Sequence, residues 1–180
     1  MPRVPGSLTA DDLQRALDDI DAATRGMSAA DLERQPAAGC WSPAQILEHL
    51  ALGFSGTAKG AARCVESGRP AASAPTVRHR LSTAVVVTFG YLPSGRPAPE
   101  RTRPRGLSGE AAMQAVRANV IAMDEGLARC AEQFGSRVAI LDHPILGPLS
   151  VAQWRTFHRV HTRHHMKQIA RLRAGAPPQR

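Results

Sequence analysis

The chain is poor in aromatic side chains. Aromatic residues make up 4% of its 180 positions, with two Trp and one Tyr among them. Hydrophobic residues still reach 43%, near the ordinary globular level, so the chain should fold on a core of Ala, Val, Leu and Ile. Small aliphatic side chains suit closely packed helices, and this length fits one domain over 1–180 with a core of its own. No apolar run approaches the roughly 18 residues that cross a bilayer, which excludes a membrane span. The start, MPRVPGSLTADDL, lacks the apolar stretch of a secretory signal. Cys40, Cys64 and Cys130 form no C-x-x-C pair, so no disulfide framework is expected, and free thiols in a cytoplasmic protein are. There is no G-x-S-x-G elbow, no Gly-rich phosphate loop, no zinc-finger spacing and no internal repeat.

Acidic residues are also in deficit. Asp and Glu number 15 against 23 Lys and Arg, a net charge of +8. Such a balance supports an acidic partner, nucleic acid included. Against it, nearly all the basic residues are Arg, spread along an Ala- and Pro-rich chain. Only Arg96, Arg101, Arg103 and Arg105 form a loose group. No aromatic residues interleave with them as stacking platforms would. The charge reads as compositional, and nucleic acid is not the expected partner. A basic Pro/Gly tail begins near residue 175.

What the chain does have is histidine, concentrated in SVAQWRTFHRVHTRHHMKQIARLRA, Ser150 to Ala174. As a helix, this stretch puts Trp154, His158, His161, His165, Gln168, Ile169 and Leu172 on one face. Arg155, Arg159, Arg163 and Lys167 run up the other side, a basic stripe expected to face water. His161 and His165 are four apart, with Cβ atoms roughly 5–6 Å from each other. Two ring nitrogens at that spacing can reach one metal ion at about 2.0–2.1 Å. The same pattern also fits a solvated basic helix or hydrogen-bonded core histidines, and spacing alone leaves these open. Thr162 stands where the zinc-protease motif has its Glu, which excludes that chemistry. A third ligand must come from elsewhere.

The rest of the chain reads as helices joined by loops. Thr9 caps a first helix that ends near Gly26, with Asp11 and Asp12 in its first turn. Ser28 to Glu33 makes a short turn. Ser42 and Pro43 open a helix over Pro43–Ser67. On it, His49 shares a face with Gln45, Gly53, Gly56 and Gly60. The glycines either admit a close neighbour or leave empty volume beside His49. Val77 to Tyr91 is read as a short extra helix, despite the strand propensity of Val85 to Thr88. Pro93 to Gly106 is a long Pro/Arg-rich loop, ordered only if it packs as a lid or strap. Ser108 caps a helix over Gly109–Phe134, with Asn119 on its apolar stripe. Leu141 to Leu149 is a turn-rich connection, and Ser150 with Gln153 forms a capping box for the last helix.

W-S-P-A-Q-I-L-E-H-L (Trp41 to Leu50) and H-T-R-H-H-M-K-Q-I (His161 to Ile169), with H-P-I-L-G-P-L (His143 to Leu149) between them, resemble the DinB-like superfamily. The resemblance is to an uncharacterised branch, a domain of unknown function, and covers nearly the whole chain in element order. It implies an all-α four-helix bundle. It also implies a metal triad of one His from the second helix and an H-x-x-x-H pair from the last, by position His49, His161 and His165. His164 is common in that motif and is not a ligand. The metal implied is Zn²⁺ or Ni²⁺, often in a homodimer. Characterised relatives include thiol S-transferases, so the activity expected is a thiol-dependent transfer or a hydrolysis on a small molecule, possible partners being low-molecular-weight thiols. A non-catalytic metal-binding bundle is the alternative.

Three imidazoles with an open position are the pattern of a catalytic metal, since structural zinc is usually closed by four protein ligands. The substrate is expected near Gly53, Gly56, Asn119, Trp154 and Gln168, walled by the second, fourth and last helices, with His143 at the mouth. No general base is legible. Glu48 adjoins His49 in sequence but lies about 100° away on the helix.

Overall fold

The computed structural model describes residues 10–92 and 97–175. Thr9, the side chains of Asp11 and Asp12, Arg96 and the tail from 176 lie outside the described residues. The elements are α1 (Ala10–Thr24), α2 (Ala29–Glu33), α3 (Pro43–Ser67), α4 (Val77–Thr83), α5 (Gly109–Phe134), β1 (Ala139–His143), β2 (Gly147–Ser150) and α6 (Val151–Arg173). A π-helical turn, Ala84–Thr88, extends α4, and a 3-10 turn, Glu100–Thr102, interrupts the loop before α5. Four long helices, α1, α3, α5 and α6, form the bundle. Among the described residues no helix is long and apolar enough to cross a membrane.

The helix starts are written locally. Ser28 with Asp31, Ser42 with Gln45, Thr76 with His79 and Ser150 with Gln153 each make a reciprocal capping box. Each box satisfies two backbone donors that the first turn would otherwise leave open. At the far end of α3, Gly68 adopts φ 67°, the left-handed conformation that stops a helix. α3 and α5 then pack along their length, burying Leu47, Leu50, Phe54 and Ala61 against Val116, Val120 and Leu127. α1 lies along α6.

Two expectations change. The connection over 141–149 is an antiparallel β-hairpin, with Leu141 opposite Leu149, Asp142 opposite Pro148 and His143 opposite Gly147. Proline reads as punctuation in sequence, but in a two-stranded ribbon each strand is an edge, and an edge can spare the N–H that Pro lacks. The second change concerns the stripe expected to face water. Arg159, Arg163 and Lys167 are exposed, whereas Arg155 is 7% exposed and sits 3.2 Å from Asp124 of α5. The contact is an ion pair by distance, although neither Asp124 Oδ1 nor Arg155 Nε is aligned for a hydrogen bond.

The glycines of α3 divide between the two roles open to them. A Cβ on Gly53 or Gly56 would meet nothing within 4 Å, so both leave open space. A Cβ on Gly60 would fall 2.7 Å from Leu141 Cδ1, because the hairpin packs into that notch. Gly56→Ala should therefore raise stability by about 0.5–1 kcal/mol through helix propensity. Gly60→Ala should lower it, since Leu141 must move. Thermal melts of the two variants check this, and equal shifts would contradict the packing described.

Candidate metal centre

Two capped helices bring the histidines together. His49 lies about two turns into α3, and His161 and His165 lie about three and four turns into α6. The crossing of these helices sets His49 Nε2 3.2 Å from His161 Nε2, and His161 Nε2 3.0 Å from His165 Nε2. The outer nitrogens are engaged elsewhere. His49 Nδ1 donates to the Thr102 carbonyl at 2.8 Å, and His165 Nδ1 donates to Gln168 Oε1 at 2.9 Å. Both acceptors are oxygens without hydrogen, so both rings carry their proton on Nδ1 and turn the Nε2 lone pair inward. This is the arrangement by which neighbouring groups orient metal-binding imidazoles.

His161 Nε2 lies within hydrogen-bond distance of both lone pairs, so its N–H can donate to one of them, or its own lone pair can join theirs on a shared cation. An additional proton that would charge the cluster is a poor candidate for that cation. Burial pushes His165 down to about 3, and burial together with His165 and His49 holds His161 well below its ordinary value. Burial lowers His49 too, opposed by its bond to Thr102. A divalent ion fits better. Two nitrogens at 2.0–2.1 Å from a tetrahedral ion stand about 3.3 Å apart, close to the spacing found here. The three nitrogens all lie within 4.8 Å of one another, a group that could hold a metal ion.

A cavity of about 1390 Å³ opens over the cluster. It is bounded by α3, α6, the hairpin and the loop before α5. Gly53, Gly56, His143, Trp154 and Gln168 line it. Asn119 does not. α5 packs against α3 and contributes no lining residue, so Asn119 is half-buried away from the cavity and the expected wall is replaced by the loop and hairpin.

Compared with family models, the chain matches the DinB superfamily over residues 12–169. The chain belongs to the DinB superfamily. Comparisons with curated proteins and with solved structures give no match. The DinB match takes in both histidine elements and all four long helices.

The other histidines of this DinB chain have separate tasks. His158 is buried, and its Nε2 lies 2.9 Å from Thr57 Oγ1. Thr57 donates its own hydroxyl to the Gly53 carbonyl, so its oxygen accepts the His158 proton. That leaves His158 Nδ1 bare and unpartnered, consistent with burial, aided by His143, pushing its pKa to about 3. His164 is half-buried, its ring 5.2 Å from that of His165 and outside the three-nitrogen group. His164→Ala should keep its metal in elemental analysis. His158→Ala should also keep it while losing roughly 1–3 kcal/mol of stability. Loss of metal in either, with circular dichroism unchanged, would overturn this division.

Sequence reasoning missed Glu48 as a structural anchor. It is 2% exposed, and its carboxylate accepts the backbone N–H groups of Arg105, Gly106 and Leu107 at 2.7, 3.0 and 3.0 Å. Consecutive residues of α3 thus grip one loop, Glu48 at 105–107 and His49 at Thr102. The described part of the Pro/Arg-rich loop is a strap across the site. The available signal was an acid in the midst of the apolar run Ile46 to Leu50, where charge needs a partner.

Proposed function

We propose that this chain is a metal-dependent enzyme acting on a small molecule, with His49, His161 and His165 as the ligands of one zinc or nickel ion, and that a thiol S-transferase-like reaction is the activity the site suits best. What carries the reading is the convergence of three imidazole Nε2 atoms beneath an open cavity. Three ligands leave a coordination position for a reactant, as catalytic sites do. A divalent ion held there would supply Lewis acidity, lowering the pKa of a thiol or water that joins it. The chain's own part is to hold the imidazoles neutral, to fix their tautomers through Thr102 and Gln168, and to shield one side with the strap. Glu48 is spent on the strap, so the proton acceptor is a reactant or solvent rather than this carboxylate.

The test is cobalt substitution followed by addition of cysteine. A new thiolate-to-metal absorption band is expected. No spectral change with any small thiol would leave the non-catalytic metal-binding bundle as the better account.

A further inference from the structure

The cavity's lining is strongly one-sided in charge. Among the described residues, Lys59, Arg63, Arg101, Arg105, Lys167 and Arg171 line it without an ion pair to a carboxylate, while Arg103 is paired with Glu100 at 2.9 Å. Among the described residues the only acid in the lining is Asp142, which already accepts the Ser73 N–H at 3.0 Å. Like charges around a concave site focus the field and raise the local concentration of anions.

His143 adds a directed donor to this field. Its Nδ1 accepts the backbone N–H groups of Ile145 and Leu146 at 3.2 and 3.1 Å, so its proton sits on Nε2. The ring is wedged against Phe157, centroids 4.4 Å apart, and Phe157 in turn stacks on His161 at 5.2 Å. One aromatic ring therefore separates His143 from the three-histidine cluster. Arg101 lines the same cavity, and its charge adds to burial in pushing His143 down to about 4, so the imidazole is neutral. A neutral N–H and a guanidinium on the wall of one cavity are both donors for an oxyanion. Gly53 and Gly56 line the same cavity, and nothing lies within 4 Å of where their Cβ atoms would stand.

We infer that the cavity takes a small dianion, its carboxylate or phosphate groups held at the His143–Arg101 end while the remainder reaches toward the three histidines. The inference deepens the proposed function by naming the substrate class of the same site; the anion end itself does not depend on the metal.

Trp41 and Trp154, the chain's two tryptophans, both line the cavity and report on its occupancy by fluorescence. Full-length protein is titrated with succinate and with glycerol 3-phosphate, against their uncharged counterparts succinamide and glycerol. At least one dianion should bind about tenfold or more tightly than its neutral counterpart, and more weakly as salt rises. The two arms tell carboxylate from phosphate. Arg101→Gln should weaken the dianion by about fivefold to tenfold, with Arg163→Gln, outside the cavity, as the control for net charge. Dianions that bind no better than neutral analogues, or an Arg101→Gln protein that binds as the parent does, would overturn the inference. Metal is measured on the same samples. Anion selectivity without metal would sustain this subsite and remove the metal reading, and metal without selectivity would do the reverse.

Discussion

Purified His161→Ala protein should carry less than about a tenth of the metal held by the parent chain. Losing a group that merely orients a ligand lowers metal affinity by about 10–100-fold, and losing a ligand should do more. His161 is also the hinge of the cluster. Its Nε2 is the atom that approaches both His49 and His165, at 3.2 and 3.0 Å. Its ring borders the cavity, so truncation widens existing open space and should leave the bundle folded. His49→Ala and His165→Ala should behave alike. Mass-spectrometric elemental analysis, with circular dichroism to establish folding, is the measurement. Full metal retention in the His161→Ala protein would sink the ligand assignment.

The parts of this fold legible in sequence are those fixed by local chemistry. Ser42 followed by Pro43, and Ser108 before Gly109, mark the starts of α3 and α5 because a cap acts on the turn directly after it. His161 and His165 are recognisable as a pair because helical spacing puts them on one face. His49 joins them in sequence only through the family resemblance, since no periodicity says which helices meet. Everything that depends on that meeting was hidden. The hairpin over 139–150 needs two short segments to pair, and their prolines disguise it. Asn119 lies on an apolar stripe, but α5 turns away from the cavity. Arg155 fits a solvent-facing row by periodicity, and only the approach of Asp124 explains its burial. The anchoring role of Glu48 is not legible in sequence because its partners lie 57 to 59 positions along the chain.

Glu48→Gln should loosen the strap and, through it, the metal centre. The carboxylate offers two oxygens to three backbone donors. An amide offers one oxygen and sets an NH₂ against the rest, so at least one buried N–H loses its acceptor. Charge-assisted bonds of this kind contribute about 1.5–3 kcal/mol each, and we expect a loss of about 2–4 kcal/mol. The effect should not stop at stability. The same strap carries Thr102, whose carbonyl fixes the tautomer of His49. Once it is free to move, His49 Nε2 is no longer held toward the cluster, and metal affinity should fall by about 10–100-fold. Chelator competition measures the affinity and thermal unfolding the stability. Trypsin reports the strap directly, because cleavage after Arg101 and Arg105 requires it to leave the helix surface. The Glu48→Gln protein should be cut there well before the parent is. A variant with parental melting, parental metal affinity and a protected strap would show that Glu48 does not hold the site together.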